Sequence, residues 1–303
     1  MDIQTLEIEL NRIEQDRTLE TETALNARTQ ALKVIHLVEE MQRWRGLEAG
    51  FSELWQRAQA LKQHLTAANR MLFENTRAWL RTGEYTSLEL RRFFDRFTTY
   101  TPNQKHALHL GPDGLDLLIK GMLEIDQAPP IVRDISADMI SYQETPARAL
   151  LDLVDHADIQ SEDVFYDLGA GLGQVAIVIH LLTGIRTKAV EIEPAYCAFV
   201  RQCAKRLGLH GVQVIEADAQ EADYADGTLF FLFTPFKGRM LQTVMERLKQ
   251  EGQKRPIRVI SYGPCTLAIA EQTWLKMREP EMNHEFRLAI FDVAPAIPSS
   301  QAR

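Results

Sequence analysis

The chain has 303 residues, 45% hydrophobic and 25% charged, a globular composition long enough for one large or two moderate domains. The formal net charge is -8, and residue 140 divides the chain into two parts of 17 Lys+Arg against 21 Asp+Glu each. So even an acidity excludes sequence-independent nucleic-acid binding and membrane-surface attachment as default roles.

The N-terminus, MDIQTLEIELNRIEQ, is acidic and amphipathic where a secretory signal is basic and then apolar. No run of about 18 apolar residues follows, so a cytoplasmic protein is expected. Cys197, Cys203 and Cys265 are odd in number and lack C-x-x-C spacing, which argues against a disulfide framework or a zinc site. From residue 2 to residue 83 there is no proline, and Leu6, Leu10, Ile13, Leu32, Ile35, Val38, Leu54, Ala58, Leu61 and Leu65 recur at helical steps. This spacing predicts antiparallel helices over residues 3–43 and 48–81, broken at Arg45-Gly46-Leu47. Such a helical hairpin or short coiled coil serves as a scaffold, a homodimer interface, or a surface for substrate or partner. Residues 1–80 should then be removable from a soluble core. Thr86-Ser87-Leu88-Glu89 is a capping box that starts a third helix through Phe97, and a fourth spans Leu115 to Leu123.

Ala128-Pro129-Pro130 closes the helical part, giving an all-α domain over 1–130 and a second domain over 131–303. Strand patterns follow at Val164–Tyr166, Thr187–Val190, Val212–Glu216, Thr228–Leu232 and Val259–Tyr262, with amphipathic crossovers at 172–183, 194–208 and 237–250. Alternating strands and helices predict a largely parallel α/β sheet. Thr273–Arg278 and Arg287–Val293 read as a terminal hairpin that adds an antiparallel strand, with PAIPSSQAR as a frayed tail. The fold class expected is α/β, a Rossmann-like sheet of seven mostly parallel strands behind an N-terminal all-α domain.

Residues 165–174 read FYDLGAGLGQ, so Gly169, Gly171 and Gly173 sit where the first strand turns into a helix. Glycine lets the backbone bend sharply and a ligand approach without meeting a Cβ. The spacing is G-x-G-x-G, whereas the dinucleotide fingerprint is G-x-G-x-x-G, which places a nucleotide-cofactor oxidoreductase behind other readings. Glu191 ends the second strand 18 residues after Gly173, where its two oxygens suit a ribose diol. Asp218 ends the third strand 27 residues later, placed to accept from an adenine amine, and Ala219 leaves room for the ring. Ribose and adenine over such a loop point to S-adenosyl-L-methionine. Asp167 would face its ammonium or, alternatively, hold the loop's own amides.

Tyr142-Gln143-Glu144-Thr145, Asp163, FYDLGAGLGQ and VEIEP together resemble the cofactor core of the disruptor of telomeric silencing histone-lysine methyltransferases, over about residues 140–220. That resemblance implies a class I S-adenosylmethionine-dependent methyltransferase in which Tyr142, Glu144 and Thr145 close over the methionine end. It also implies that Gly169, Gly171, Gly173 and Gln174 line the loop while Glu191 and Asp218 hold the adenosine. The family has an aromatic residue where this chain has Ala219, and an asparagine-rich segment where it has Phe233-Thr234-Pro235-Phe236.

Methyl transfer from a sulfonium is an in-line displacement that asks for alignment and water exclusion more than for dedicated catalytic groups. Phe233-Thr234-Pro235-Phe236 ends the fourth strand and resembles in part the Asn/Asp-Pro-Pro-aromatic loop of amino-group methyltransferases. Thr234 and the Pro235 carbonyl are candidates to accept from the attacking nitrogen, with Phe236 packed beside it, and Tyr262 to shape the acceptor pocket. Cys265 reads as a small buried residue and His180 as a packed side chain, and no metal is expected. A protein side-chain amine is the first acceptor class, ahead of a small-molecule amine or hydroxyl. A non-catalytic interaction protein that keeps the cofactor fold is the competing class.

Overall fold

A computed structural model of the chain describes residues 2–45, 49–101, 113–133, 136–279 and 287–294. Residues 46 and 47 of the expected break at Arg45-Gly46-Leu47, the hairpin connection at 280–286 and the tail from 295 lie outside the described residues.

The first predicted helix is two. Helix α1 (Ile3–Gln15) is N-capped by Asp2, whose carboxylate accepts from the Thr5 amide at 2.8 Å. It stops at Asp16, which accepts from the amide of Thr18 at 2.9 Å and starts a 3-10 turn at Arg17–Glu20. Helix α2 (Leu25–Arg45) then resumes. The break is pinned by Arg28, 2% exposed, whose guanidinium donates to the carbonyls of Leu19, Thr21 and Glu22 and to Asn69 Oδ1. Helical periodicity continues through this stretch, but short polar side chains that hydrogen-bond their own backbone compete with the helix and end it.

Helix α3 (Ala49–Thr82) runs back along α2, and α4 (Ser87–Asp95) starts at the predicted capping box, with Thr86 and Glu89 bonded reciprocally. Helix α5 (Gly114–Leu123) starts at a second box between Asp113 and Asp116. Helix α6 (Ala147–His156) precedes the sheet and was not anticipated from the sequence.

The α/β part follows the expected alternation: β1 (Val164–Leu168), α7 (Gln174–Thr183), β2 (Arg186–Glu191), α8 (Pro194–Leu207), β3 (Val212–Glu216), β4 (Leu229–Leu232), α9 (Gly238–Lys254), β5 (Arg258–Ser261), a short α10 (Cys265–Ala270), β6 (Leu275–Met277) and β7 (Ala289–Val293). The sheet has seven strands in the order β3-β2-β1-β4-β5-β7-β6. β1 to β5 pair in parallel, and β7 runs antiparallel to both β5 and β6. The order reverses between β1 and β4, and in an open parallel sheet the crevice at that reversal, beyond the carboxyl ends of the strands, collects ligands.

The core follows the two faces of the sheet. One face packs Tyr166, Phe230, Val259 and Phe291 against α9 and α10 through Val244, Leu248 and Ile269. The other joins Phe165, Phe231 and Ile260 to α6 and α7 and continues without interruption into Leu115, Leu90, Phe94, Leu80, Leu72 and Leu25 of the helical half. The distal helical region, with Leu6, Ile35, Val38, Phe51 and Leu54, has a cluster of its own. His180 is a packed side chain, as expected: its Nδ1 pairs with the Ile185 carbonyl at 2.7 Å, and its ring fills the space beside Gly211.

Candidate functional site

The cleft lies at the strand reversal, with a volume of about 360 Å³. Its walls include Tyr142, Thr145, Asp167, Gly169, Gly171, Gln174, Glu191, Ala219, Thr234, Pro235 and Phe236, so most of the sequence-predicted residues are brought together. Among the described residues, Glu144, Gly173, Asp218 and Tyr262 are not part of this lining.

The glycine loop turns through left-handed conformations, with φ of 75° at Gly169 and 53° at Gly171. These glycines admit the protein's own side chains. A Cβ on Gly169 would come 2.2 Å from Cβ of Pro235, and one on Gly171 would come 2.3 Å from the Tyr142 ring. The space that the sequence reserves for a ligand at these two positions is therefore filled by the cleft's opposite walls. Gly173 caps α7 and packs on Val200. The amides of Gly169 and Ala170 both donate to the Val190 carbonyl, which ties the loop to the end of β2.

Glu191 reaches across from β2. One oxygen accepts from the Gly171 amide at 2.7 Å, and the other accepts from the amides of Ile192 and Glu193, each at 2.8 Å. Burial raises its pKa, and these three amides oppose the shift. Asp218, by contrast, bonds locally. Its Oδ1 accepts from the amide of Gln220 at 2.7 Å, an Asx turn that takes the carboxylate out of the cleft wall and leaves Ala217 and Ala219 there. Glu144 also faces elsewhere, accepting from Lys120 at 2.8 Å.

Three buried polar atoms around the cleft have no hydrogen-bond partner: the Tyr142 hydroxyl, Asp167 Oδ2 and Gln174 Oε1. An unsatisfied buried polar atom costs about 1–3 kcal/mol, so a cluster of them marks a surface shaped for a ligand's complementary groups. Asp167 is 3% exposed, and burial pushes its carboxyl up to about 7, with Glu191 adding and the Ala176 amide opposing. Gln174 is held by a bond from its amide nitrogen to the Thr145 carbonyl at 2.9 Å, which leaves only its oxygen free. A cation at Asp167 with donors near Tyr142 and Gln174 would satisfy the set, and the amino-acid end of S-adenosylmethionine fits this requirement.

The part of the cleft beside the end of β4 is apolar, with Phe231, Phe233, Phe236, Met139 and Met240 in the wall. Phe233 meets Tyr262 edge-on at 5.1 Å between centroids, which places Tyr262 behind the wall. Thr234 has φ of 44°, an outlier for a β-branched residue that costs on the order of 1–3 kcal/mol. Both groups that the sequence offers to an acceptor nitrogen are already bonded within the chain. The Thr234 hydroxyl accepts from the Cys265 amide at 3.1 Å and donates to the Tyr262 carbonyl at 3.3 Å. The Pro235 carbonyl accepts from the Ile140 amide at 3.0 Å.

Sequence reasoning missed Tyr196, which lines the cleft from the first turn of α8 and meets Tyr142 edge-on at 6.0 Å. It also missed the reach of segment 136–143, which bridges to Phe236 through Met139 and to Lys237 through the Asp138 carbonyl. The signal for Tyr196 was local: a residue five positions past Glu191 and two past the proline that starts a helix.

Residues 136–229 match a family described as Histone methylation protein DOT1. A comparison with curated proteins finds no match. Similar solved structures include an RNA methyltransferase from Salinibacter ruber in complex with S-adenosyl-L-homocysteine, at 23% identity and a TM-score of 0.41, covering 52% of this chain and 97% of that one. Another is precorrin-6y C5,15-methyltransferase from Geobacter metallireducens GS-15, at 20% identity and a TM-score of 0.39, covering 51% and 90%. A third is an S-adenosylmethionine-dependent methyltransferase from Aquifex aeolicus, at 14% identity and a TM-score of 0.39, covering 48% and 89%. With the family match falling on the glycine loop, Glu191 and strands β1 to β3, the chain is an S-adenosylmethionine-dependent methyltransferase resembling the DOT1 family.

Proposed function

We propose that the chain transfers a methyl group to an amine of a protein side chain. The observation that carries this reading is the division of one cleft into two parts. Unpartnered polar atoms gather around Asp167, and an aromatic and methionine wall stands beside Phe233. The match to a histone methylation family over residues 136–229 supports a protein acceptor, and the apolar wall suits the aliphatic stem of an amine that enters uncharged.

When bound, S-adenosylmethionine supplies an electrophilic methyl on a sulfonium. In this reading Asp167 holds the ammonium, Tyr142 and Gln174 complete the amino-acid end, and Glu191 takes the ribose diol. Ala217 and Ala219 leave room for adenine in the cleft that Tyr196 also lines. The buried aromatic wall excludes water and favours the neutral acceptor, because a desolvated ammonium gives up its proton more readily than one in water. Alignment and desolvation carry the rate, and no residue of the wall is required as a covalent nucleophile.

A cytoplasmic site of action belongs to the same reading, and three buried free cysteines support it. No helix among the described residues is long and apolar enough to cross a membrane. The helical half serves as a platform for the acceptor protein or for a second copy of the chain. The test is incorporation of labelled methyl from S-adenosylmethionine into lysate proteins, followed by acid hydrolysis. Label recovered as a methylated amino acid supports the reading. Label recovered only in small molecules or nucleic acid overturns the acceptor class.

A further inference from the structure

Thr234 holds a left-handed conformation with φ of 44° in the acceptor wall, and such a conformation persists in a β-branched residue only where its surroundings over-determine it. The surroundings here are a reciprocal pair of bonds. The Cys265 amide donates to the Thr234 hydroxyl at 3.1 Å, and the Thr234 amide donates to the Cys265 sulfur at 3.3 Å. The thiol in turn points to the carbonyls of Leu232 and Tyr262, each at 3.7 Å. Gly263 closes the arrangement from below, since a Cβ there would stand 2.7 Å from the Thr234 hydroxyl oxygen. The pair ties the end of β4 to the first turn of α10 beyond β5, and Phe233 and Pro235, the residues on either side of Thr234, line the cleft.

We propose that Thr234 and Cys265 are a positioning pair that sets the acceptor wall, with the Thr234 hydroxyl acting on Phe233 and Pro235 through the backbone and not on the acceptor nitrogen. This rests on the reading that the wall meets the acceptor. Cys265 has no reactive role, as burial pushes its thiol up and 4% exposure closes it to reagents.

The test uses the full chain with S-adenosyl-L-homocysteine bound and compares Thr234→Val, Thr234→Gly, Cys265→Ala, the double variant Thr234→Val/Cys265→Ala, and Thr234→Ser. Hydrogen exchange of a peptide spanning residues 232–237 is read by mass spectrometry. Exchange in the valine and alanine variants is expected to rise by about tenfold or more, and the double variant to add nothing further, because one coupled unit is lost once. Thr234→Ser keeps the hydroxyl and is expected to restore protection. Thr234→Gly accepts the left-handed turn without strain, so it folds even if valine does not, and it too is expected to lose protection. Unchanged exchange in Cys265→Ala, or additive effects in the double variant, overturns the pair.

Initial rates of methyl incorporation into lysate protein separate positioning from contact. A positioning pair lowers the rate equally for Thr234→Val and Cys265→Ala, with the KM for S-adenosylmethionine within about twofold of the parent. A loss in Thr234→Val with full activity in Cys265→Ala shows that the sulfur does not help to hold the wall and sinks the pair. If the unaltered protein labels no protein at all, the acceptor reading fails by itself, and the exchange result still decides the pair.

Discussion

At Asp167 two forces oppose each other, and burial wins. Loss of water penalises the ionised carboxylate more than the Ala176 amide stabilises it, which lifts the pKa from 3.8 to about 7. A folded value above the unfolded one means that the folded chain binds the extra proton. This contribution to stability is fully present below about pH 4 and is lost as the pH rises through about 7. Asp167→Asn is therefore expected to stabilise the ligand-free protein at pH 8 and to leave it little changed at pH 3, checked by urea unfolding at both. Ligand binding has the opposite sign, because an ammonium selects the ionised form. Affinity for S-adenosyl-L-homocysteine should fall by up to about tenfold per unit below pH 7 in the parent and lose that dependence in Asp167→Asn, measured by isothermal titration. Glu191 supports the loop, its carboxylate accepting from Gly171, Ile192 and Glu193, and in the proposed reading it also takes the ribose. Glu191→Ala should weaken the same ligand by about 1–3 kcal/mol. Unchanged affinity would remove the ribose assignment.

Among the elements, the break between α1 and α2 depends most on one side chain. Arg28 serves three backbone carbonyls and Asn69 from a buried position, so no neighbouring residue replaces it. Arg28→Ala leaves those acceptors without donors and is expected to cost about 3 kcal/mol in urea unfolding. Full stability in that variant would mean that water or a rearranged turn serves the carbonyls equally well. The contrasting element is α4, whose capping box at Thr86 and Glu89 is exposed and local. A box made by neighbours in sequence is readable from four letters. A break held by a residue six to nine positions further on and by another helix is not.

For the whole molecule, the sequence divides at Ala128-Pro129-Pro130, yet the apolar interior does not follow that division. Leu72, Leu80, Leu90 and Leu115 share one cluster with Leu150, Ile177 and Phe231 beneath the sheet. Deleting residues 1–80 would uncover the faces of α5 and α8 on which α2 and α3 pack. An aggregating or poorly soluble fragment is expected by light scattering, against the removable module that the sequence pattern predicts. A monodisperse fragment that binds S-adenosyl-L-homocysteine with unchanged affinity would show that the two parts are separable after all.

Alternating strand and helix patterns, Gly169, Gly171 and Gly173, and Glu191 at a strand end were enough to place the parallel sheet, its antiparallel addition and the cofactor class. They were enough because periodicity and φ requirements are local properties of the chain. Tertiary structure alone decided what meets across the cleft. It set Tyr142 against Gly171 and Pro235 against Gly169, turned Asp218 onto Gln220, brought in Tyr196, and bonded Thr234 to Cys265 across 31 positions of sequence. The physical reason is that a side chain at a strand end chooses between its own loop and the opposite wall. That choice depends on distances that do not exist until the sheet has closed.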